Sequence, residues 1–213
     1  MQTLPCPSCG ADLDFRSAQS VFRVCPYCQS TIVRQDLNLE DMGKMAELAE
    51  DLSPIQIGTT GRYRSLFFYV SGRIIYKWKD GIWNEWHLYF DNGETGWLSE
   101  AQGEFAISRP METRFSPDES DLSLGKVFNI KKDSFRLSDI KDITYQGSEG
   151  ELPFKAFSDY RATVYDFSHE GAKFLTLEFP FDKDIPSLAY MGEYVDFMRL
   201  EPQNIRLIEG WGL

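Results

Sequence analysis

The chain has four cysteines, and all of them fall in two short pairs, Cys6-Pro7-Ser8-Cys9 and Cys25-Pro26-Tyr27-Cys28, with fifteen residues between the pairs. This is the spacing of a zinc ribbon, in which two tight knuckles each offer two sulfurs and together complete a tetrahedral S4 shell. Pro7 and Pro26 stiffen the turns, and Gly10 permits the left-handed backbone that closes the first knuckle. The expected cofactor is structural Zn2+ held by Cys6, Cys9, Cys25 and Cys28; iron also accepts four thiolates. Two disulfides or a redox dithiol would use the same residues. Disulfides fit poorly with a start that lacks a basic and apolar leader, and a redox dithiol would employ one pair and leave its twin idle.

Other catalytic chemistry is hard to find. The histidines are His87 and His169, and neither sits at a spacing that makes a catalytic pair or a second metal site. There is no Gly-rich phosphate loop, nucleophile elbow or dinucleotide fingerprint. Carboxylates are abundant, and in an acidic protein Glu85 and Glu151 stand out no more than several others. The expectation is a protein that is not an enzyme, with activity of an unrecognised type left open.

The net charge of −11 is uneven. Through Gln35 there are three basic and two acidic residues, leaving 19 basic and 31 acidic in the remainder. So acidic a body repels a phosphate backbone, which makes nucleic acid an improbable partner. No apolar run is long enough to span a membrane, and the expected location is cytoplasmic.

The elements that must position these residues are mostly β. Within 1–35, alternation over Ser20-Val21-Phe22-Arg23-Val24 fits a short hairpin, and Thr31-Ile32-Val33 a strand leaving the second knuckle. Over 36–53 the period changes: Leu39, Met42, Met45, Ala46, Ala49 and Leu52 recur at helical steps, with Asn38 as cap and Ser53-Pro54 as stop, so a linker helix is predicted. From 54 onward, short aromatic and β-branched runs alternate with turn residues. Strands are predicted at 62–70, 73–78, 82–90, 95–98 and 104–108, then at 126–130, 140–145, 160–167, 173–179, 193–200 and 205–208. They divide into two small antiparallel barrel- or sandwich-like units of SH3 size, 54–112 and 113–213. A likeness between the 74–77/86–89 and 164–167/174–177 hairpins hints at a degenerate duplication.

Asp80-Gly81 and Asn92-Gly93 are the strongest hairpin signals. With two-residue turns there, Tyr76 pairs with Glu85, Ile75 with Trp86, and Leu88 with Trp97. One face then collects Ile75, Trp86, Leu88, Phe90 and Trp97, a core face on which Arg73 needs a partner. The other collects Tyr76, Trp78, Trp83, Glu85, His87 and Tyr89. These six form the candidate binding face, aromatic and edged with polar groups, unless they simply pack against the second unit.

The segments Gly72-Arg73-Ile74-Ile75-Tyr76, Trp83-Asn84-Glu85-Trp86-His87-Leu88, Asp91-Asn92-Gly93, Trp97-Leu98 and Gly150-Glu151-Leu152-Pro153 resemble a bacterial family catalogued as the domain of unknown function numbered 4178, some members of which carry an N-terminal zinc ribbon. The resemblance implies no catalytic or ligand-binding residues. Members are encoded near polyamine-synthesis-like enzymes and small membrane proteins, which implies an accessory role in a membrane- or polyamine-linked system. The sequence thus leads first to a non-enzymatic adaptor that docks a protein partner through its ribbon and aromatic face. The second reading is a module for a small cationic ligand such as a polyamine, held by Tyr76, Trp78, Trp83 and Glu85.

Overall fold

The computed structural model describes residues 2–208 except 18, 36–37, 45–51, 112–114, 116 and 156–158. The ribbon comprises β1 (Gln2–Pro5), β2 (Asp12–Phe15), β3 (Phe22–Val24), β4 (Ser30–Gln35) and β5 (Asn38–Lys44). Its core is small: Leu13, Phe15 and Ile32 gather beside the buried Cys6 and Cys25. Where the linker helix is predicted, β5 instead pairs antiparallel with β4, Val33 opposite Glu40 and Arg34 opposite Leu39. Gly43 adopts φ +102° and its N–H donates to Asp41 Oδ1, a local turn that competes with a helical ladder. The second half of the helical stripe, Met45, Ala46 and Ala49, lies outside the described residues.

The rest of the chain makes β6 (Thr60–Tyr63), β7 (Leu66–Trp78), β8 (Gly81–Phe90), β9 (Thr95–Ala101), β10 (Glu104–Pro110), β11 (Val127–Ile130), β12 (Asp133–Leu152), β13 (Arg161–Ser168), β14 (Lys173–Pro180) and β15 (Leu188–Val195). Each expected unit supplies one four-stranded meander, β7–β10 and β12–β15. The meanders join along both edges, β10 with β15 and β12 with β7, all antiparallel. Neither meander closes by itself; together they form an eight-stranded barrel without a free edge. The predicted 62–70 and 73–78 strands merge into β7 after a tight turn at Arg64, and β15 begins at Leu188 instead of 193. The 205–208 segment is not a strand; beside it, Gln203 makes an isolated bridge with Thr60.

Closure depends on a close approach at one seam. Gly72 of β7 sits opposite Gly150 of β12, and a Cβ on Gly72 would collide with the Glu151 carbonyl, one on Gly150 with the Ser71 carbonyl. Outside the barrel, two cores cover its walls. Phe68, Trp86, Leu88 and Phe90 pack under Ile55, Tyr63, Phe197 and Leu200. Phe135, Leu137, Phe167 and Leu175 pack under Phe115, Leu122 and Phe128. Arg73, buried on the first of these walls, donates from Nε and Nη2 to Asn84 Oδ1 (3.0 and 2.7 Å) and lies over the Trp86 ring.

Candidate functional site: the barrel lumen and the four-cysteine centre

Alternation along the barrel strands sends every second side chain inward. Tyr76 and Trp78 come from β7, Trp83 and Glu85 from β8, Trp97 and Ser99 from β9, Lys141 from β12, Asp166 from β13, Glu178 from β14 and Tyr190 from β15; with Tyr160 they line a lumen of about 780 Å³. Eight strands enclose either a filled core or room for one small ligand, and this volume is the second case.

The hairpins differ from the predicted register in an instructive way. Trp78 pairs with Gly81 and Tyr76 with Trp83, so the β7–β8 turn is Lys79-Asp80 and the register moves by two residues. An even shift preserves faces, and Tyr76, Trp78, Trp83 and Glu85 remain on one side. The β8–β9 loop is longer: Phe90 N–H donates to Glu94 O, and Gly93 takes φ +84° in a three-residue loop, Asp91-Asn92-Gly93. That moves the register by one. Trp97 therefore pairs with His87 and joins the lumen side, not the core face predicted for it.

His87 and Tyr89 do not reach the lumen. His87 is 1% exposed, its Nδ1 2.8 Å from Ser71 Oγ, its ring edge-on to Trp97 and Tyr89. Burial pushes its pKa down to about 4, so it is a neutral packing residue.

Two carboxylates dominate the chemistry. Glu85 accepts from Trp83 Nε1 (2.9 Å) and Ser99 Oγ (2.8 Å). Glu178, 9% exposed, accepts from the Tyr160 hydroxyl. β8 and β14 are four strands apart whichever way one counts around the barrel, so the two come from its opposite walls, near enough for the charge of Glu178 to act on Glu85. Among the described residues no Lys, Arg or His lies within ion-pair distance of either. Burial, with the charge of Glu178 and Asp166 added, pushes Glu85 up to about 7; burial likewise raises Glu178. Tyr76, Tyr160 and Tyr190 are raised by burial and by Glu178, and stay protonated. Asp166 is different. It pairs with Lys141 at 2.8 Å, as does Asp139, and the Lys141 ammonium lies 5.5 Å from the centre of the Trp78 ring and 5.9 Å from that of Trp83. Burial pushes the Lys141 pKa down, but the two carboxylates more than offset it.

The four cysteines converge as their spacing requires. Cys6 N–H donates to Ala11 O and Gly10 N–H to Cys6 O; Cys25 N–H donates to Ser30 O and Gln29 N–H to Cys25 O, so the knuckles match. Gly10 and Gln29 take the left-handed position in each. The sulfur pairs Cys6–Cys28 and Cys9–Cys25 are 3.8 Å apart and all four lie within 4.8 Å. A metal–sulfur distance of about 2.3 Å in a tetrahedron puts sulfurs about 3.8 Å apart, whereas a disulfide needs about 2 Å. The donor set fits a thiophilic metal ion.

The ribbon is joined to the barrel immediately before Cys25. β3 pairs with the end of β12, Arg23 opposite Glu151 and Phe22 opposite Leu152. Glu151, unremarkable in the sequence, is buried here: it accepts from the Arg16 N–H, from Ser20 Oγ and from Arg23 Nη1 at 2.8 Å. Phe22 and Val33 share a core with Ile74, Trp97 and Tyr145, three residues that also line the lumen.

Fold and site define an antiparallel β-barrel protein with an open, acidic and aromatic lumen and a four-cysteine ribbon packed against it. The chain belongs to the family described as "Domain of unknown function (DUF4178)", whose model matches residues 56–197. The matched span runs from just before β6 through β15 and leaves the ribbon outside it. No curated protein and no solved structure matches the chain. No helix among the described residues is long and apolar enough to cross a membrane.

Proposed function

We propose that the protein binds a small organic ammonium ion, of the polyamine kind, inside the barrel, with zinc in the ribbon as a structural ion. One observation carries the reading: Glu85 and Glu178 come from opposite walls of an aromatic lumen with no Lys, Arg or His within ion-pair distance among the described residues, while Asp166 in the same lumen holds the ammonium of Lys141 against Trp78 and Trp83. The lumen already satisfies one alkylammonium by carboxylate and ring-face contacts. A ligand of the same chemistry would satisfy the remaining carboxylates and gain from the protein's negative field. An anionic ligand would meet the same carboxylates and be repelled.

Adaptor function through the aromatic face is the weaker reading, because Tyr76, Trp78, Trp83 and Glu85 point into the barrel, where no folded partner reaches them. The test is thermal denaturation with 1,4-diaminobutane, with magnesium as control for non-specific screening. Ligand at a hundredfold excess over Kd stabilises by about 2.7 kcal/mol, which raises Tm by about 5–11 °C for a chain of this size. Glu85→Gln combined with Glu178→Gln should abolish the shift. A wild-type protein unmoved by millimolar 1,4-diaminobutane, or moved equally by magnesium, contradicts the proposal.

A further inference from the structure

The lumen has an outer and an inner region, and the two are occupied differently. The outer one lies by the β7–β8 turn, where Trp78 pairs with Gly81. There Lys141 projects between the rings of Trp78 and Trp83, and Asp139 and Asp166 each take its ammonium at 2.8 Å. The inner one comprises Glu85 and Glu178 with Tyr76, Tyr160 and Tyr190. Two contacts join them: Tyr76 packs on Trp83 at 5.5 Å between ring centres, and Trp83 Nε1 donates to Glu85. An ammonium needs nearby anions and ring faces to replace its water. Lys141 obtains both from its own chain, in the manner of a bound ligand.

We infer that Lys141 is a specificity-determining residue that fills the outer ammonium position of the lumen and limits the ligand to a short amine whose charges fall on Glu85 and Glu178. This rests on the ammonium-binding reading above. A short diamine brings two charges to two carboxylates. A longer triamine would drive its third ammonium toward Lys141, where like charges repel and both anions are already engaged. Removing the Lys141 charge would vacate Asp166 and the two indole faces, creating a second cationic position from residues already in place.

The experiment is calorimetric titration of the full chain with 1,4-diaminobutane and with spermidine, at one pH and 150 mM salt, on wild type, Lys141→Met and Lys141→Arg. Wild type should bind the diamine at least as tightly as the triamine. In Lys141→Met the preference should move toward the triamine by about tenfold or more, the effect of one additional ammonium position. Lys141→Arg, which keeps the charge, should retain the wild-type ranking. Lys141→Gln, still able to donate to Asp139 or Asp166, replaces Lys141→Met if that variant does not fold. An unchanged ranking in the neutral variants, with amines binding wild type, overturns the role of Lys141 and leaves the ammonium reading standing. If neither amine binds any of the proteins, both readings are overturned.

Discussion

Glu85 makes a prediction that needs no ligand. Its carboxyl is held at about 7 in the folded protein, against 4.5 for the free side chain. Below pH 4.5 both folded and unfolded chains carry it protonated, and it adds no pH dependence. Between 4.5 and 7 the unfolded chain releases the proton and the folded one keeps it, so stability falls as pH rises and levels off above 7. At 1.36 kcal/mol per pH unit the loss comes to about 3 kcal/mol. Glu85→Gln removes this titration. It keeps both contacts in outline, with the amide oxygen accepting from Trp83 Nε1 and the NH2 donating to Ser99 Oγ, since a hydroxyl can accept as well as donate. The variant should therefore be close to wild type in stability at pH 4.5 and about 3 kcal/mol the more stable at pH 8. In melting temperature the difference should swing by about 6–12 °C across that range. Parallel thermal melts of the two proteins read this directly, and the comparison cancels the general repulsion of an acidic chain. A difference that stays flat from pH 4.5 to 8 would refute the placement of Glu85 in a desolvated lumen.

Three further outcomes test the architecture. Cys6→Ser should release one equivalent of metal to a colorimetric chelator and, because β3 pairs with β12, should lower the barrel's own melting temperature; an unchanged barrel transition would show the ribbon to be energetically separate. Glu151→Ala leaves Arg23 without its buried partner and frees the Ser20 hydroxyl, a loss on the order of 3 kcal/mol by urea denaturation; a loss below about 1 kcal/mol contradicts the buried node. Gly72→Ala should destabilise by more than about 2 kcal/mol or prevent folding, since its Cβ meets backbone across the closing seam; a wild-type urea midpoint would mean that the seam is looser than described.

What could be read from the residues follows the range of the interactions involved. The four-cysteine knuckles are local, and Cys-x2-Cys spacing alone carried them. The inward set Tyr76, Trp78, Trp83 and Glu85 survived a mistaken turn because a two-residue slip leaves strand faces unchanged. Trp97 did not survive, because Asn92-Gly93 belongs to a three-residue loop whose odd shift exchanges faces. The 39–52 stripe read as helical because Leu39 and Met42 fit a three-residue step, yet the free edge of β4 and the local turn at Asp41-Gly43 favour a strand over 38–44. Barrel closure was beyond reach: it depends on pairings such as Arg73 with Glu149 and Ile107 with Glu193, between residues far apart in the chain. Its local trace is Gly72 and Gly150, both within the segments that carry the family resemblance. Glu178 and Lys141 had no signal of their own, since a carboxylate or an amine on a strand acquires meaning only once the opposite wall is known.

The most direct test of the central claim is a crystal structure of the protein soaked with 1,4-diaminobutane near pH 8. The account predicts the diamine inside the barrel, its ammonium groups against Glu85 and Glu178 and its chain along Tyr76, with Lys141 still seated between Trp78 and Trp83. A lumen holding only water, with diamine on the outer surface or nowhere, would contradict it.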